Sequence, residues 1–283
     1  MQWIRTCGVG TVVVSWYPPG LADGNGYSWD DFMPSLLDAA HQYKLKVVFH
    51  IEPYKDRDIN NLRSHIAYIF ERYASHAAFY RHPTKSGRSM AMFYIYDSYL
   101  VPNLQWQALL KPSGRQSVRG TELDALFIGL LVKESDKTNL LRNGFDGVYT
   151  YFAIDGFTFG SKWKNWPNIR LFARKNRLLF IPAVGPGYVD TRVRPWNGQN
   201  TRLRNSGTYY ERSFAAAISS GTKVVSVTSF NEWHEGTQIE PAVPKQIQGY
   251  EYDNYGDLGP FLYLNLTKKW VSRFGNSARK NET

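Results

Sequence analysis

Seven apolar runs punctuate the chain and restrict its fold more than any other feature. They read VGTVVVSWY (9–17), LKVVFHIEP (45–53), MAMFYIYD (90–97), DALFIGLLV (124–132), DGVYTYF (146–152), LLFIPAVGPG (178–187) and TKVVSVTSF (222–230). Each is nearly continuous in β-branched and aromatic residues and does not alternate apolar with polar. A strand with one wet face alternates, whereas a strand buried on both faces reads as an unbroken apolar run, which is the mark of a parallel sheet.

Helical patterns fill the intervals. SWDDFMPSLLDAAHQYK opens with a Ser28–Asp31 pair spaced as a capping box and puts Phe32, Leu36, Leu37, Ala40 and Tyr43 on one face. NLRSHIAYIFERYASH does the same with Leu62, Ile66, Ile69, Phe70 and Tyr73, and further helices fit near 134–143, 162–176, 207–220 and 257–274. Strand alternating with helix predicts an α/β fold, a (β/α)₈ TIM-type barrel. A doubly wound sheet is the alternative, but no Gly-rich phosphate loop follows the first run. A closed barrel needs eight strands. With seven runs, and only MQWIRTCG before the first, the simplest expectation is a chain that begins partway through the first βα unit, so that the first strand is missing. No linker, low-complexity tract or repeat interrupts the alternation. The expected organisation is one barrel domain over 1–274 and a polar basic tail over 275–283.

Composition narrows the function. A 283-residue chain with 43% hydrophobic and 20% charged residues has the material for a large core. Aromatic residues reach 16%, with 9 Trp and 19 Tyr, a surplus suited to a cleft that stacks flat ligands. The net charge of +10 raises a polyanion partner, but the basic residues are dispersed and no zinc-finger, helix-turn-helix or RNA-binding signature occurs, so nucleic acid is not expected. Cys7 is alone, which rules out an intrachain disulfide. No run has the length of a spanning helix and no signal peptide opens the sequence. Two glycosylation sequons begin at Asn265 and Asn281.

Barrel chemistry sits at the carboxyl ends of the strands. There the first run offers Ser15, Trp16 and Tyr17; the second His50, Glu52 and Tyr54; the third Tyr94, Tyr96, Asp97 and Tyr99. The fifth offers Tyr149, Tyr151, Phe152 and Asp155; the sixth Tyr188 and Asp190, then Arg194, Trp196 and Asn197; the last Asn231, Glu232, Trp233, His234 and Glu235. Acids with no basic partner nearby in sequence suit proton transfer on a neutral substrate. Rings beside acids suit sugars, whose C–H faces pack on aromatics while carboxylates take the hydroxyls. A lone strand-end Tyr is more often packing and a lone Asp more often a helix cap, so the weight lies in their coincidence on six strands.

Glu232 and Glu235 stand three apart in SFNEWHEGTQIEPA (229–242). If that loop makes a helical turn, both face the same way and reach one sugar. His50, Glu52, His234 and Glu235 could in principle form a nitrogen–oxygen metal site, but the i, i+4 histidine spacing of a zinc helix is lacking, so no metal and no cofactor is expected. No G-x-S-x-G elbow is present.

These motifs, together with SWYPP (15–19), FHIEPY (49–54), FYIYDSY (93–99), FDGVYTYFA (145–153), PAVGPGY (182–188) and RPWN (194–197), resemble the endo-α-1,2-mannosidase family of glycoside hydrolases, most closely its vertebrate endomannosidase-like branch, from about residue 9 to 274. The resemblance implies a (β/α)₈ barrel and retaining endo-hydrolysis of glucosylated high-mannose N-glycans through a 1,2-anhydro sugar. It assigns Glu232 as the base on the mannose 2-hydroxyl and Glu235 as acid/base, with His50, Glu52, Tyr54, Asp97, Tyr151, Tyr188, Trp196 and Asn231 lining subsites. It also implies a lumenal Golgi enzyme whose membrane anchor lies upstream of these residues, so that the chain resembles an N-terminally shortened family member. A catalytically inactive glycan-binding relative is the alternative.

Overall fold

A computed structural model describes every residue except Asn25, Lys85, Ser86, Pro244, Gln248, Gly249 and those at 252–254 and 281–283. After a short helix α1 (Gln2–Thr6), strand and helix alternate: β1 (Thr11–Trp16), α2 (Met33–Gln42), β2 (Lys46–Ile51), α3 (Ile59–Tyr73), β3 (Arg81–Pro83), β4 (Ser89–Ile95), α4 (Asn103–Leu110), β5 (Ala125–Leu130), α5 (Asp136–Asn143), β6 (Gly147–Tyr149), α6 (Trp166–Lys175), β7 (Leu179–Ile181), β8 (Ala183–Val184), α7 (Thr208–Ser219) and β9 (Ser226–Val227). A small hairpin of β10 (Gln246–Ile247) and β11 (Tyr250–Glu251) precedes the long α8 (Leu262–Lys280). The sheet runs β1-β2-β4-β5-β6-β7 with every neighbour parallel, and β8 carries it on to β9. Within this sheet, among the described residues, only β3 runs antiparallel, laid against the start of β4. The architecture is the α/β barrel expected.

Strand side chains alternate between two apolar compartments, because successive residues point to opposite faces. Val47, Phe49 and Ile51 of β2, Phe93 and Ile95 of β4, and Phe127 of β5 point outward and bury against the helices. Val48, Met92, Tyr94, Ile128, Leu130, Tyr149 and Ile181 point inward and fill the barrel. Strands β2, β4 and β5 are therefore buried on both faces along most of their length, which explains their unbroken apolar runs. The inward set gains rings toward the carboxyl ends, and its last layer is polar.

All seven expected strands are present, most of them shorter than their runs, and β6 keeps only Gly147–Tyr149. Pro182 separates β7 from β8, since proline has no N–H for the ladder. The last run yields only Ser226–Val227, which pairs with β8 alone. Among the described residues β1 also pairs on one side alone, with β2, and Val13 is 39% exposed whereas Val48 of β2 is buried. No strand among the described residues lies beyond either edge.

The structure corrects three local expectations. The Ser28–Asp31 cap does not form. Asp30 turns inward instead, where its carboxylate accepts from Trp16 Nε1 (2.8 Å), Tyr68 OH (2.6 Å) and Tyr73 OH (2.8 Å), so the helix begins one turn late and Met33, not Phe32, enters the core. Helix α4 was not expected. The last helix, expected near 257–274, runs as α8 from Leu262 through Lys280, and the end of the tail expected over 275–283 lies outside the described residues. Of the two sequons, Asn265 lies on the exposed side of α8, with the Thr267 hydroxyl buried and bonded to Tyr210, while Asn281 falls outside the described residues.

Candidate active site

The inner face of β2 delivers His50 to the carboxyl end of the barrel, with Ser15 of β1 and Tyr94 of β4 in register on either side. His50 Nδ1 lies 2.7 Å from Glu52 Oε1, and Nε2 lies 2.8 Å from the hydroxyl of Tyr149, at the end of β6. Tyr151 stacks on the imidazole with ring centroids 5.9 Å apart, and Tyr96 tilts against it at 5.2 Å. Tyr151 has φ +46° at the apex of a tight turn in which Phe152 N–H donates to Thr150 O (2.6 Å). Such backbone is unfavourable for a β-branched or bulky side chain and recurs where a side chain must be aimed.

Glu232 and Glu235 come from a loop that is closed on itself. Ser229 N–H donates to Thr237 O (3.0 Å), Ile239 N–H to Ser229 O (3.1 Å) and Glu240 N–H to Phe230 O (2.9 Å). Arg204 Nη2 donates to the carbonyls of Gly236 (2.9 Å) and Gln238 (2.8 Å), and Tyr255 OH to that of Glu240 (2.6 Å). The helical turn expected here is replaced by a tighter one, closed by Gly236 N–H to Trp233 O (3.2 Å). Gly236 has φ +62°, and a Cβ there would stand 3.0 Å from both Val189 N and Val189 O, so glycine is required by conformation and by space. The Glu232 carboxylate bends over its own loop and accepts from His234 N–H (3.1 Å).

Charge is graded across this site. Burial, then the neighbouring Glu232 carboxylate, pushes the Glu235 carboxyl above the usual range, against the pull of Arg194. Arg194 Nη1 reaches Glu235 Oε1 (3.3 Å) and Asp190 Oδ2 (2.9 Å). Burial alone would raise Asp190 too, but hydrogen bonds from Asn197, Arg194 and Tyr188 outweigh it and hold this carboxyl below the usual range. Asp97 sits in a left-handed turn (φ +45°) and is raised by burial, offset only in part by Tyr99 and Arg57. The Tyr151 hydroxyl is pushed well above the phenol range by burial and then by Glu235, Tyr96, Glu52 and Glu232. One phenol thus feels three carboxylates from two distant segments, which marks the common cleft.

Of the residues expected from sequence, His50, Glu52, Tyr151, Glu232 and Glu235 converge on this cleft. Tyr188 joins its edge through Asp190 and Arg194. Tyr54 is buried and bonded to Asn61 (3.0 Å) and His65 (2.9 Å) of α3. Asn231 is exposed, and its carbonyl accepts from Trp233 N–H (3.1 Å). Trp196 is 79% exposed and makes no described ring contact or hydrogen bond. Basic partners for the acids do exist. Arg194 is 41 residues from Glu235 in sequence, a separation that conceals the pair. Sequence reasoning also missed Arg57, whose guanidinium donates to the carbonyls of Tyr96 and Asp97 (both 2.7 Å), and Arg204. A lone arginine in the loop just after a strand end was the available signal for Arg57. Among the described residues no three His, Cys, Asp or Glu side chains group as metal ligands.

An α/β barrel that gathers acids and rings at the carboxyl ends of its strands defines the class of glycosyl hydrolases. The chain belongs to glycosyl hydrolase family 99, whose model matches residues 1–276. It is 53% identical to a Xenopus laevis glycoprotein endo-alpha-1,2-mannosidase over 97% of the chain and 61% of that protein. It is 50% identical to a human glycoprotein endo-alpha-1,2-mannosidase-like protein over 97% of the chain and 60% of that protein. The chain therefore spans about three fifths of the length of these curated relatives. Among solved structures, the family 99 endo-alpha-mannosidase from Bacteroides thetaiotaomicron superposes with a TM-score of 0.90 at 44% identity, covering 98% of this chain and 78% of that one.

Proposed function

We propose that this protein is a retaining, endo-acting glycoside hydrolase that cleaves α-1,2-mannosidic bonds in glucosylated high-mannose N-glycans. The observation that carries the reading is the pairing of Glu232 and Glu235 on one closed loop, with Glu235 raised toward its acid form by burial and by Glu232. A carboxyl whose pKa is raised is suited to general-acid work. Glu232 takes the proton of the mannose 2-hydroxyl, and that oxygen attacks the anomeric carbon as the glycosidic bond breaks. Glu235 gives its proton to the departing oxygen. The resulting 1,2-anhydro sugar is opened by a water that Glu235 deprotonates, while Glu232 returns its proton to O2. Two inversions at one carbon give retention. Because O2 attacks opposite the departing oxygen, the two carboxylates of this loop serve opposite faces of one ring.

Lumenal Golgi localisation, and membrane attachment through a segment outside these residues, belong to the same proposal and rest on the family resemblance. Among the described residues no helix is long and apolar enough to cross a membrane. The test is incubation with a glucosylated mannose oligosaccharide. Release of a glucosyl-mannose saccharide with retained α configuration is expected. Saturable binding without turnover would instead support an inactive glycan-binding relative.

A further inference from the structure

His50 was expected to line a sugar subsite, yet both of its ring nitrogens are already engaged: Nδ1 with Glu52 Oε1 at 2.7 Å and Nε2 with Tyr149 OH at 2.8 Å. The ring is 5% exposed and is covered by Tyr151 and Tyr96. A neutral imidazole has one donor and one acceptor, and these neighbours select which is which. An ionised Glu52 only accepts, so Nδ1 must carry hydrogen. Tyr149 keeps its proton, because burial and then the Glu52 charge drive its hydroxyl far above the phenol range. That O–H then donates to Nε2. In the other tautomer, the Nδ1 lone pair would face the Glu52 carboxylate. If both nitrogens were protonated, Nε2–H would point at Tyr149, whose own hydrogen would have no other described acceptor. The Nδ1–H tautomer alone satisfies every group.

We propose that His50 is a positioning residue: locked as the Nδ1–H tautomer by Tyr149, it grips one oxygen of Glu52 and leaves the other free to take a substrate hydroxyl. Glu52 Oε2 has no hydrogen-bond partner among the described residues, and Glu52 acts electrostatically on Tyr17, Tyr96 and Tyr151 around the cleft. This inference rests on the sugar-cleaving reading above, but its structural half can be checked without turnover.

The experiment pairs nitrogen-15 NMR of histidine-labelled protein with two variants of similar bulk. In the parent protein near neutral pH, the His50 signals, identified as those absent from His50→Asn, should show a neutral ring with hydrogen on Nδ1. In Tyr149→Phe the ring loses its Nε2 donor, and the preference for hydrogen on Nδ1 should weaken. An asparagine amide can occupy the place of Nδ1 and still donate to Glu52, whereas a glutamine amide reaches toward the Nε2 position. His50→Asn should therefore keep most of kcat/KM on a mannose oligosaccharide, and His50→Gln should lose roughly tenfold or more, the worth of one charge-assisted hydrogen bond. Hydrogen on Nε2 in the parent protein overturns the proposal whatever the variants do. Equal activity of the two variants, with melts like the parent, overturns the aiming of Glu52. A parent protein with the Nδ1–H signal but no hydrolysis would refute the enzyme reading and leave the tautomer established.

Discussion

Arg194 loosens the hold of Glu235 on its proton. Its guanidinium pulls the Glu235 carboxyl down while burial and Glu232 push it up, and the upward effects win. Removing the positive charge leaves only the upward effects. In Arg194→Gln the high-pH limb of kcat/KM should therefore move to higher pH, since Glu235 would hold its proton longer. The limb is read from a pH–rate profile, and a shift to lower pH would show that another group sets it. The raised carboxyl also bears on folding. Glu235 binds its proton more tightly folded than unfolded, so its contribution to stability is full below the unfolded value and is lost as pH rises through the folded one. Asp190 works in the opposite sense, stabilising above its unfolded value and losing that contribution as pH falls. The sequence made these acids visible as a class but not their partners. Glu232, Glu235, His50 and Glu52 stood out because several polar groups met at strand ends. Arg194 was named at its strand end without its partner Glu235, and Arg204 was not named at all, because the contacts that give them meaning cross 41 and 32 residues of chain. Tyr54 shows the converse: it sits at a strand end, yet its hydroxyl is taken up by α3.

At the scale of elements, the loop that carries Glu232 and Glu235 is held from outside by Arg204 and Tyr255 and turned from within by Gly236. Arg204 donates to two of its carbonyls while its guanidinium lies over Tyr263, 4.6 Å from the ring centroid. Arg204→Met should cost about 2 kcal/mol in a denaturant melt and lower kcat more than it raises KM, because the carboxylates lose their aim before the subsites lose their walls. Gly236→Ala forces a left-handed backbone on a residue with a Cβ and presses it against Val189; roughly 1–2 kcal/mol of destabilisation is expected. A melt unchanged in both variants would mean that the loop is not held as described. Helix α3 has a different anchor. Asp58 accepts from Asn60 N–H (2.8 Å) and Asn61 N–H (2.9 Å), and Asn61 Oδ1 accepts from Asp58 N–H (3.1 Å), a reciprocal cap. Asp58→Ala should cost about 1 kcal/mol. Hydrogen bonding from Asn61 holds this carboxyl below its usual range, so the difference between Asp58→Ala and parent should shrink as pH falls. The long strands and α3 were legible because their apolar spacing is regular and runs for several turns or pleats. Helix α4 was not: it has eight residues, Leu104 faces solvent at 78% exposure, and the pattern is too short to separate from a loop.

For the molecule as a whole, the sheet has two differently buried margins and a centre. β5 is paired on both sides and buried along nearly its whole length, whereas β1 pairs only with β2 among the described residues and is half-exposed. Unpaired strand edges carry free donors and acceptors. In a chain of residues 1–283, amide protons of β1 should exchange with deuterium well ahead of those of β5. Equal protection would mean that the β1 edge is covered. The barrel itself was readable because burial on both faces writes itself into sequence as unbroken apolar runs, while the ends of β8 and β9 were not, since strand length depends on neighbours that composition does not reveal. What the barrel delivers is a pair of carboxylates on one loop, and the central claim is that they divide the proton transfers between them. That division is tested most directly by kinetics on a mannoside with an activated aryl leaving group, which departs without needing a proton. Glu235→Gln should regain a large part of its lost activity on that substrate, because only its acid role is bypassed. Glu232→Gln should not, because the 2-hydroxyl must still be deprotonated. Equal rescue of both variants, or rescue of Glu232→Gln alone, would contradict the assignment.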